Sequence, residues 1–552
     1  MVKVVIAIAL ASFSIAAFAS ESRPNILLLM AEDMSARVGS FGDSVAVTPH
    51  LDQLAKEGVR FPNTFTTAGV CSPSRAALMM GTHQTAFGAQ HMRSNNAPEG
   101  GYKPVPPADM KAFPELLRAA GYRTYTTGKL DYQFSGMTLG SGPFTIWDRE
   151  EQDAHWRDFN GDKPFFGFVN LLETHESGVF SPLGTMPNSA VHLMTQLGRA
   201  WFVGIPPKHF PVKPEQIKLE PYYPDTKAVR EDIARHYNNV TLMDTKVGQL
   251  LQELEADGIL ENTIVIWTTD HGDGLPRAKR ELFDSGIKVP MIIRWPERYK
   301  PASAAAGSIE KRLISFVDLG PTILKLAGVT VPASMTGQDF RDDAQSRQYV
   351  YATRDRIDEV RDRQRAVRDQ RFKYIYSYQP QQPGGHKLNY RDNLDMMQDM
   401  HELFAAGKLN DLQQQWFQAP GKERLFDIQN DPHELNDLAK DPSYKEDLER
   451  MRQALSDWQG QVKDLGEMPE ADMRAAFLKD DKQLETPVPQ VRVDAGILTL
   501  TSVENASIGY RLNKGEWQLY KEPLNLDQHT KRVDAKAIRY GWKESDSVSW
   551  TP

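Results

Sequence analysis

The chain has 552 residues, 40% of them hydrophobic and 25% charged, with a net charge of -8 and a single cysteine. This balance fits a globular protein of more than one domain and excludes a disordered, fibrous or disulfide-stapled chain. The negative surplus leaves nothing in the global charge to attract nucleic acid or an anionic membrane, so an anionic ligand must find its positive charge locally.

Residues 1–19 place Lys3 before an apolar run and close on Ala17-Phe18-Ala19, the small-x-small pattern of a cleavable secretory signal peptide. The run falls short of the roughly 20 residues that span a bilayer, so export to a periplasmic or secreted location is expected rather than membrane anchoring. Export permits disulfides, yet Cys71 has no partner in the chain. An unpaired cysteine is by default a small buried hydrophobe.

From residue 20 to about 345, continuous apolar runs at 25–30, 165–172, 264–268 and 289–293 predict strands buried on both faces. A further strand is expected at 122–126, and helical patterns lie between the strands at 49–57, 113–120 and 225–254. This alternation predicts an α/β fold, a large, mainly parallel sheet sandwiched by helices. Three of its strands run into Glu32-Asp33, Glu173-Thr174-His175 and Asp270-His271-Gly272-Asp273. Ligands bind at the carboxyl ends of such strands, so these residues are expected to converge. Arg-rich and aromatic strands followed by a helix at 441–459 predict a smaller α+β subdomain over 346–485. Short alternating segments around the turn Asn513-Lys514-Gly515 predict a small all-β appendage over 486–552.

Cys71-Ser72-Pro73-Ser74-Arg75 precedes a helix-forming stretch ended by Gly81, and Pro73 and Ser74 suit the helix start. Cys71 then lies beside the positive end of a helix dipole, a place that favours an anion. This C-x-P-S-R segment followed by A-x-L-x-x-G resembles the signature of the formylglycine-dependent sulfatases, members of the alkaline phosphatase superfamily. The likeness implies that a maturation enzyme oxidises Cys71 to formylglycine, which attacks the sulfur of a sulfate ester. Pro24-Asn25-Ile26 leading to Glu32-Asp33, and Thr48-Pro49-His50-Leu51-Asp52, resemble further family segments. The implied metal ligands are Glu32, Asp33, Cys71, Asp270 and His271. Hard oxygen donors suit Ca²⁺ or Mg²⁺, and one Ca²⁺ per chain is expected. The resemblance also places Arg75, Lys129 and Lys279 around the sulfate and His175 against the leaving-group oxygen.

One departure stands out. Where many sulfatases read G-K-x-H, this chain reads Gly128-Lys129-Leu130-Asp131, which leaves Asp131 as the base for sulfate release, or as a group that orients Lys129, or passes the step to another histidine such as His83 or His91. For the substrate side, the segment around Arg354 and Arg356 resembles bacterial polysaccharide sulfatases and the N-sulfoglucosamine sulfohydrolase branch. His91, Arg93 and His236 join these two arginines as candidates to bind a sulfated carbohydrate. The alternatives are a sulfamidase, a phosphodiesterase or phosphonate monoester hydrolase of the same superfamily, and a non-catalytic carbohydrate-binding protein.

Overall fold

The computed structural model describes residues 23–97, 100–204, 211–342, 346–503 and 505–552. The signal-peptide expectation for residues 1–19 lies outside them. Among the described residues no helix is long and apolar enough to cross a membrane.

The central sheet has eight strands: β1 (Asn25–Ala31), β2 (Val59–Phe65), β3 (Arg123–Thr126), β4 (Arg149–Glu150), β5 (Phe165–Leu171), β6 (Thr263–Thr269), β7 (Lys288–Arg294) and β8 (Ile314–Ser315). Their order is β4-β3-β5-β1-β6-β7-β2-β8. β7 alone runs against the others, pairing antiparallel with both β6 and β2. The three strands β1, β5 and β6 are buried at every residue because helices cover both faces, which is why they read as unbroken apolar runs.

β2 escapes that pattern. It contains Pro62, accommodated where the pairing with β7 shifts register between Phe61 and Thr64. The helices α1 (Pro49–Glu57), α2 (Cys71–Met80), α3 (Phe113–Ala119) and α5 (Lys227–Ala256) pack around the sheet, and α4 (Ala190–Phe202) lies against the turn Glu176–Gly178 beyond β5. α2 begins at Cys71 itself, two residues before the expected start at Pro73, and all ten of its residues are buried.

A second, antiparallel sheet joins β9 (Val350–Ile357), β10 (Val360–Arg368), β11 (Phe372–Ser377) and β12 (Glu423–Asp427). The helix Lys445–Val462 covers one face through Leu448, Met451, Leu455 and Trp458, spaced along a single helical stripe. The chain ends in two small antiparallel sheets whose facing side chains, Leu498, Leu500, Ile508, Val533, Ala535 and Ala537, share one core.

A buried carboxylate seats this β unit on the first domain. Glu115 of α3 accepts hydrogen bonds from Ser507 Oγ at 2.5 Å and Tyr540 Oη at 2.7 Å. Removing one donor from a buried acceptor costs about 1–3 kcal/mol. Tyr540→Phe is therefore expected to lower unfolding stability by about that amount in denaturant titration while leaving sulfate-ester turnover intact. A stability equal to wild type would show that the contact is not holding the unit in place.

Candidate active site

β1 ends in Glu32-Asp33, β3 leads to Lys129, β5 to His175, and β6 to Asp270-His271. Since β3, β5, β1 and β6 are neighbours running the same way, their carboxyl ends share one edge. Two backbone features aim the ligating groups. Asp33 adopts the left-handed region at φ 49°, which a short polar side chain tolerates, and its amide donates to Asp270 Oδ1 at 3.0 Å. Gly272 lets the turn after His271 press onto a neighbouring loop, where an added Cβ would stand 1.8 Å from the Ser285 carbonyl oxygen.

α2 brings in the cysteine. Ser74 Oγ donates to the Asp270 carbonyl at 2.6 Å, fixing the head of the helix against the end of β6. Cys71 Sγ, fully buried, then lies 3.3 Å from His271 Nε2 and 3.7 Å from Asp33 Oδ1. Ligand atoms of Asp33, Cys71, Asp270 and His271 all fall within 4.8 Å of one another. His271 Nδ1 is 3.0 Å from the Gly272 carbonyl, which turns Nε2 toward Asp33 Oδ1 at 2.9 Å, a contact the ring makes as a donor until a cation takes the place of its proton. Two carboxylates and one imidazole aimed at a common point fit a divalent cation.

Glu32 also lies within ligand distance of Asp33, Cys71 and His175. Its two oxygens, however, are taken by Arg75 and by Lys129 at 2.7 Å. Arg75 further pairs with Asp270 at 3.3 Å, and Lys279 Nζ with Asp33 Oδ2 at 2.5 Å. Burial works against the Asp33 charge, but the Lys279 ammonium outweighs it and holds the carboxyl well below its usual range. Three buried carboxylates thus face three buried cations. Added to that balance, a divalent cation leaves positive charge for an anionic nucleophile and an anionic ester.

His175 takes a hydrogen bond from the Ser177 amide on Nδ1 at 3.2 Å, which leaves the proton on Nε2. Burial, aided by Lys279, pushes its pKa down to about 3 despite Asp33. The imidazole is neutral and offers an N–H at Nε2 rather than a cationic acid. At Asp131 burial raises the pKa, but Lys129, Arg93 and the Ser72 hydroxyl prevail and hold it at about 2. Its oxygens meet Ser72 Oγ at 2.7 Å, Lys129 Nζ at 3.3 Å and Arg93 at 3.7 Å. A carboxylate this acidic is a poor proton acceptor at neutral pH and a good anchor for cations.

A cavity of about 550 Å³ opens over Glu32, Lys129 and His175, bounded by Arg93, Leu139 and Tyr390. Of the five side chains expected to meet a sugar, only Arg93 lines it. His236 is wholly buried with Nε2 3.0 Å from Asp273. Arg354 is tied to Glu281 at 2.7 Å and to Asp362. Arg356 spends its donors on Glu470, the Met92 carbonyl and the Asp358 carbonyl. His91 accepts the Arg356 amide on Nδ1 and faces a different cavity.

Two residues that sequence reasoning passed over belong to the site. Asn170 in β5 accepts Arg75 Nη1 at 2.6 Å and donates to the Thr127 and Lys129 carbonyls. A single polar residue inside an apolar strand was its only signal. Glu176 donates its amide to Asp33 Oδ2 at 2.6 Å and forks onto Arg280 at 2.8 and 3.0 Å. It directly follows the His175 already singled out.

The chain matches the sulfatase family over residues 24–329, and residues 277–418 match the C-terminal region of N-sulphoglucosamine sulphohydrolase. An ulvan-active sulfatase of Formosa agariphila is 39% identical over 95% of this chain and 91% of its own length. The human N-sulphoglucosamine sulphohydrolase is 28% identical over 80% of this chain and 91% of its own length. A solved 2-O GAG sulfatase superposes with a TM-score of 0.54 at 20% identity, covering 80% of this chain and 93% of its own, which supports the shared fold. Given a buried cysteine amid carboxylates and cations, and a family match spanning more than half of its length, this chain belongs to the sulfatase family and is a sulfuric ester hydrolase.

Proposed function

We propose that the protein removes sulfate esters from a sulfated polysaccharide, or from oligosaccharides derived from it, after export from the cytoplasm. The observation that carries this reading is Cys71 at the head of α2, within 3.7 Å of Asp33 and ringed by buried cations. The likeness to an ulvan-active sulfatase over 95% of the chain supports a polymeric substrate.

Conversion of Cys71 to formylglycine by a maturation enzyme would supply an oxygen nucleophile, and Ca²⁺ on Asp33, Asp270 and His271 would supply positive charge to it and to the ester. Arg75, Lys129 and Lys279 hold the sulfate oxygens and balance the charge that grows as the S–O bond breaks. His175 Nε2–H donates to the leaving sugar oxygen. Asp131 holds Lys129 and Ser72 in place and, with Arg93, closes the rim. Among sulfatase substrates a sulfamate is the second reading, favoured by the match to the N-sulphoglucosamine sulphohydrolase C-terminal region.

The test is a panel of defined sulfated saccharides, O-sulfated and N-sulfated, given to protein whose residue 71 has been assayed for the aldehyde by mass spectrometry. Sulfate release from O-sulfated sugars, lost in Cys71→Ala and after chelation but restored by Ca²⁺, is expected. Release from N-sulfated sugars alone would shift the reading to a sulfamidase.

Loss of the His175 donor predicts a fall of about 10²–10³-fold in kcat for His175→Ala, with His175→Gln, which keeps an N–H, retaining much more. Equal loss in both variants would point instead to a packing role.

For Asp131→Asn the expectation is a fall of about tenfold in kcat/KM through a misplaced Lys129, with no sulfate held covalently on quenched protein. Sulfate retained on the protein would assign Asp131 as the base for release.

A further inference from the structure

A second cavity, of about 650 Å³, lies between the first domain and the terminal β unit. It adjoins the catalytic cavity through a single loop. Met137, Thr138 and Leu139 face the catalytic side, and the next three residues, Gly140, Ser141 and Gly142, face the second cavity. Nothing in the mechanism above uses it.

Its chemistry is that of a glycan site. Trp542 and Trp517, both from the β unit, are half-buried in its wall. Trp517 already carries Arg511 and Lys536 over its ring, at 4.8 and 5.0 Å, whereas among the described residues no aromatic or cationic side chain stacks on Trp542. Rings left partly open in a polar wall suit the apolar face of a pyranose.

The charges favour an anion. Asp148, Glu516 and Glu544 are each matched, by Arg118 at 2.6 Å, Arg149 at 2.8 Å and Lys536 at 2.9 Å. Lys103 is different. Its ammonium is half-buried with one backbone partner, the Ser141 carbonyl at 3.3 Å, and no carboxylate among the described residues pairs with it. Lys543, an exposed residue of the same lining, pairs with none among the described residues. Against Glu150, the one carboxylate of the lining that no described cation pairs with, these two lysines leave a single positive surplus, and the half-buried one carries a desolvation cost that a sulfate or uronate would offset. Glu150, half-buried and accepting the Gly140 amide at 2.5 Å, adds an acceptor for sugar hydroxyls.

We infer that this cavity is a distal subsite that binds an anionic sugar of the same chain whose sulfate is being removed, so that the enzyme reads polymer on both sides of the loop 137–142. The inference rests on the polysaccharide reading above. The subsite takes a pyranose carrying sulfate or carboxylate, with Trp542 as its platform and Lys103 and Lys543 as its anion contacts. It makes no contact with the reacting atoms and acts on affinity alone.

The experiment compares the wild-type holoenzyme with Trp542→Ala and the double variant Lys103→Ala/Lys543→Ala. Substrates are ulvan oligosaccharides of two, four and eight sugars, with 4-nitrophenyl sulfate as the small ester. Wild type is expected to show a KM that falls with chain length. Both variants should lose that gain, raising KM on the octasaccharide about tenfold with kcat and aryl sulfate turnover unchanged, since a buried anchor at a binding site contributes on that scale. Retained aryl sulfate turnover also shows that the variants fold. A wild-type length dependence that survives intact in both variants overturns the subsite and leaves the functional reading standing. Equal losses on the octasaccharide and the aryl ester overturn it too, since they mark a structural defect. Wild type that turns over the aryl ester but no ulvan oligosaccharide removes the ulvan-like substrate and the subsite with it.

Discussion

The structure is organised by the cost of keeping Glu32, Asp33 and Asp270 ionised away from water. Three carboxylates at the ends of two adjacent strands demand compensation from every element that reaches them. Arg75 comes from α2, Lys129 from the turn after β3, and Lys279 from the loop before β7. Each cation is held in turn, Arg75 by Asn170, Lys129 by Asp131 and Lys279 by Glu176. On the proposed reading the arrangement is preorganised: the charges that would receive a sulfate are in place before it arrives, so little reorganisation would be needed when the S–O bond breaks.

The same principle explains the departure at Asp131. A histidine there would offer a titratable group, whereas Asp131 sits between two cations that keep it ionised. The proton chemistry is thereby thinned on this side of the site and replaced by fixed charge. His175 shows the complementary case on the other side, where burial leaves a neutral ring whose tautomer is set by a backbone amide.

Much of the fold could be read from the chain because interior parallel strands are apolar at every position. β1, β5, β6 and β7 were legible to within a residue or two at each end, and so were the acids that follow them. β2, interrupted by Pro62, and the two-residue β8 carry no such pattern, and α4 was also missed. Within the site, motif residues were legible, but partnership was not. Whether Arg354 faces a ligand or Glu281, or His236 a sugar or Asp273, depends on neighbours remote in sequence, and no local pattern encodes them. In the terminal unit the alternating segment expected after the turn Asn513-Lys514-Gly515 forms only the two-residue strand Gln518–Leu519, and the preceding Trp517 packs edge-on against Phe144 of the first domain.

Cys71 has no exposed surface, and the ten residues of its helix are closed over by strands and loops. Some of those, such as the segment from Asp270 to Lys279, are synthesised about two hundred positions later. Any enzyme that oxidises this thiol must therefore meet the chain while it is still open, before the sheet has assembled around it. Folding and modification compete for one interval. On the proposed reading, a chain that folds first would be sealed with its thiol intact, and the timing of synthesis would set the competent fraction.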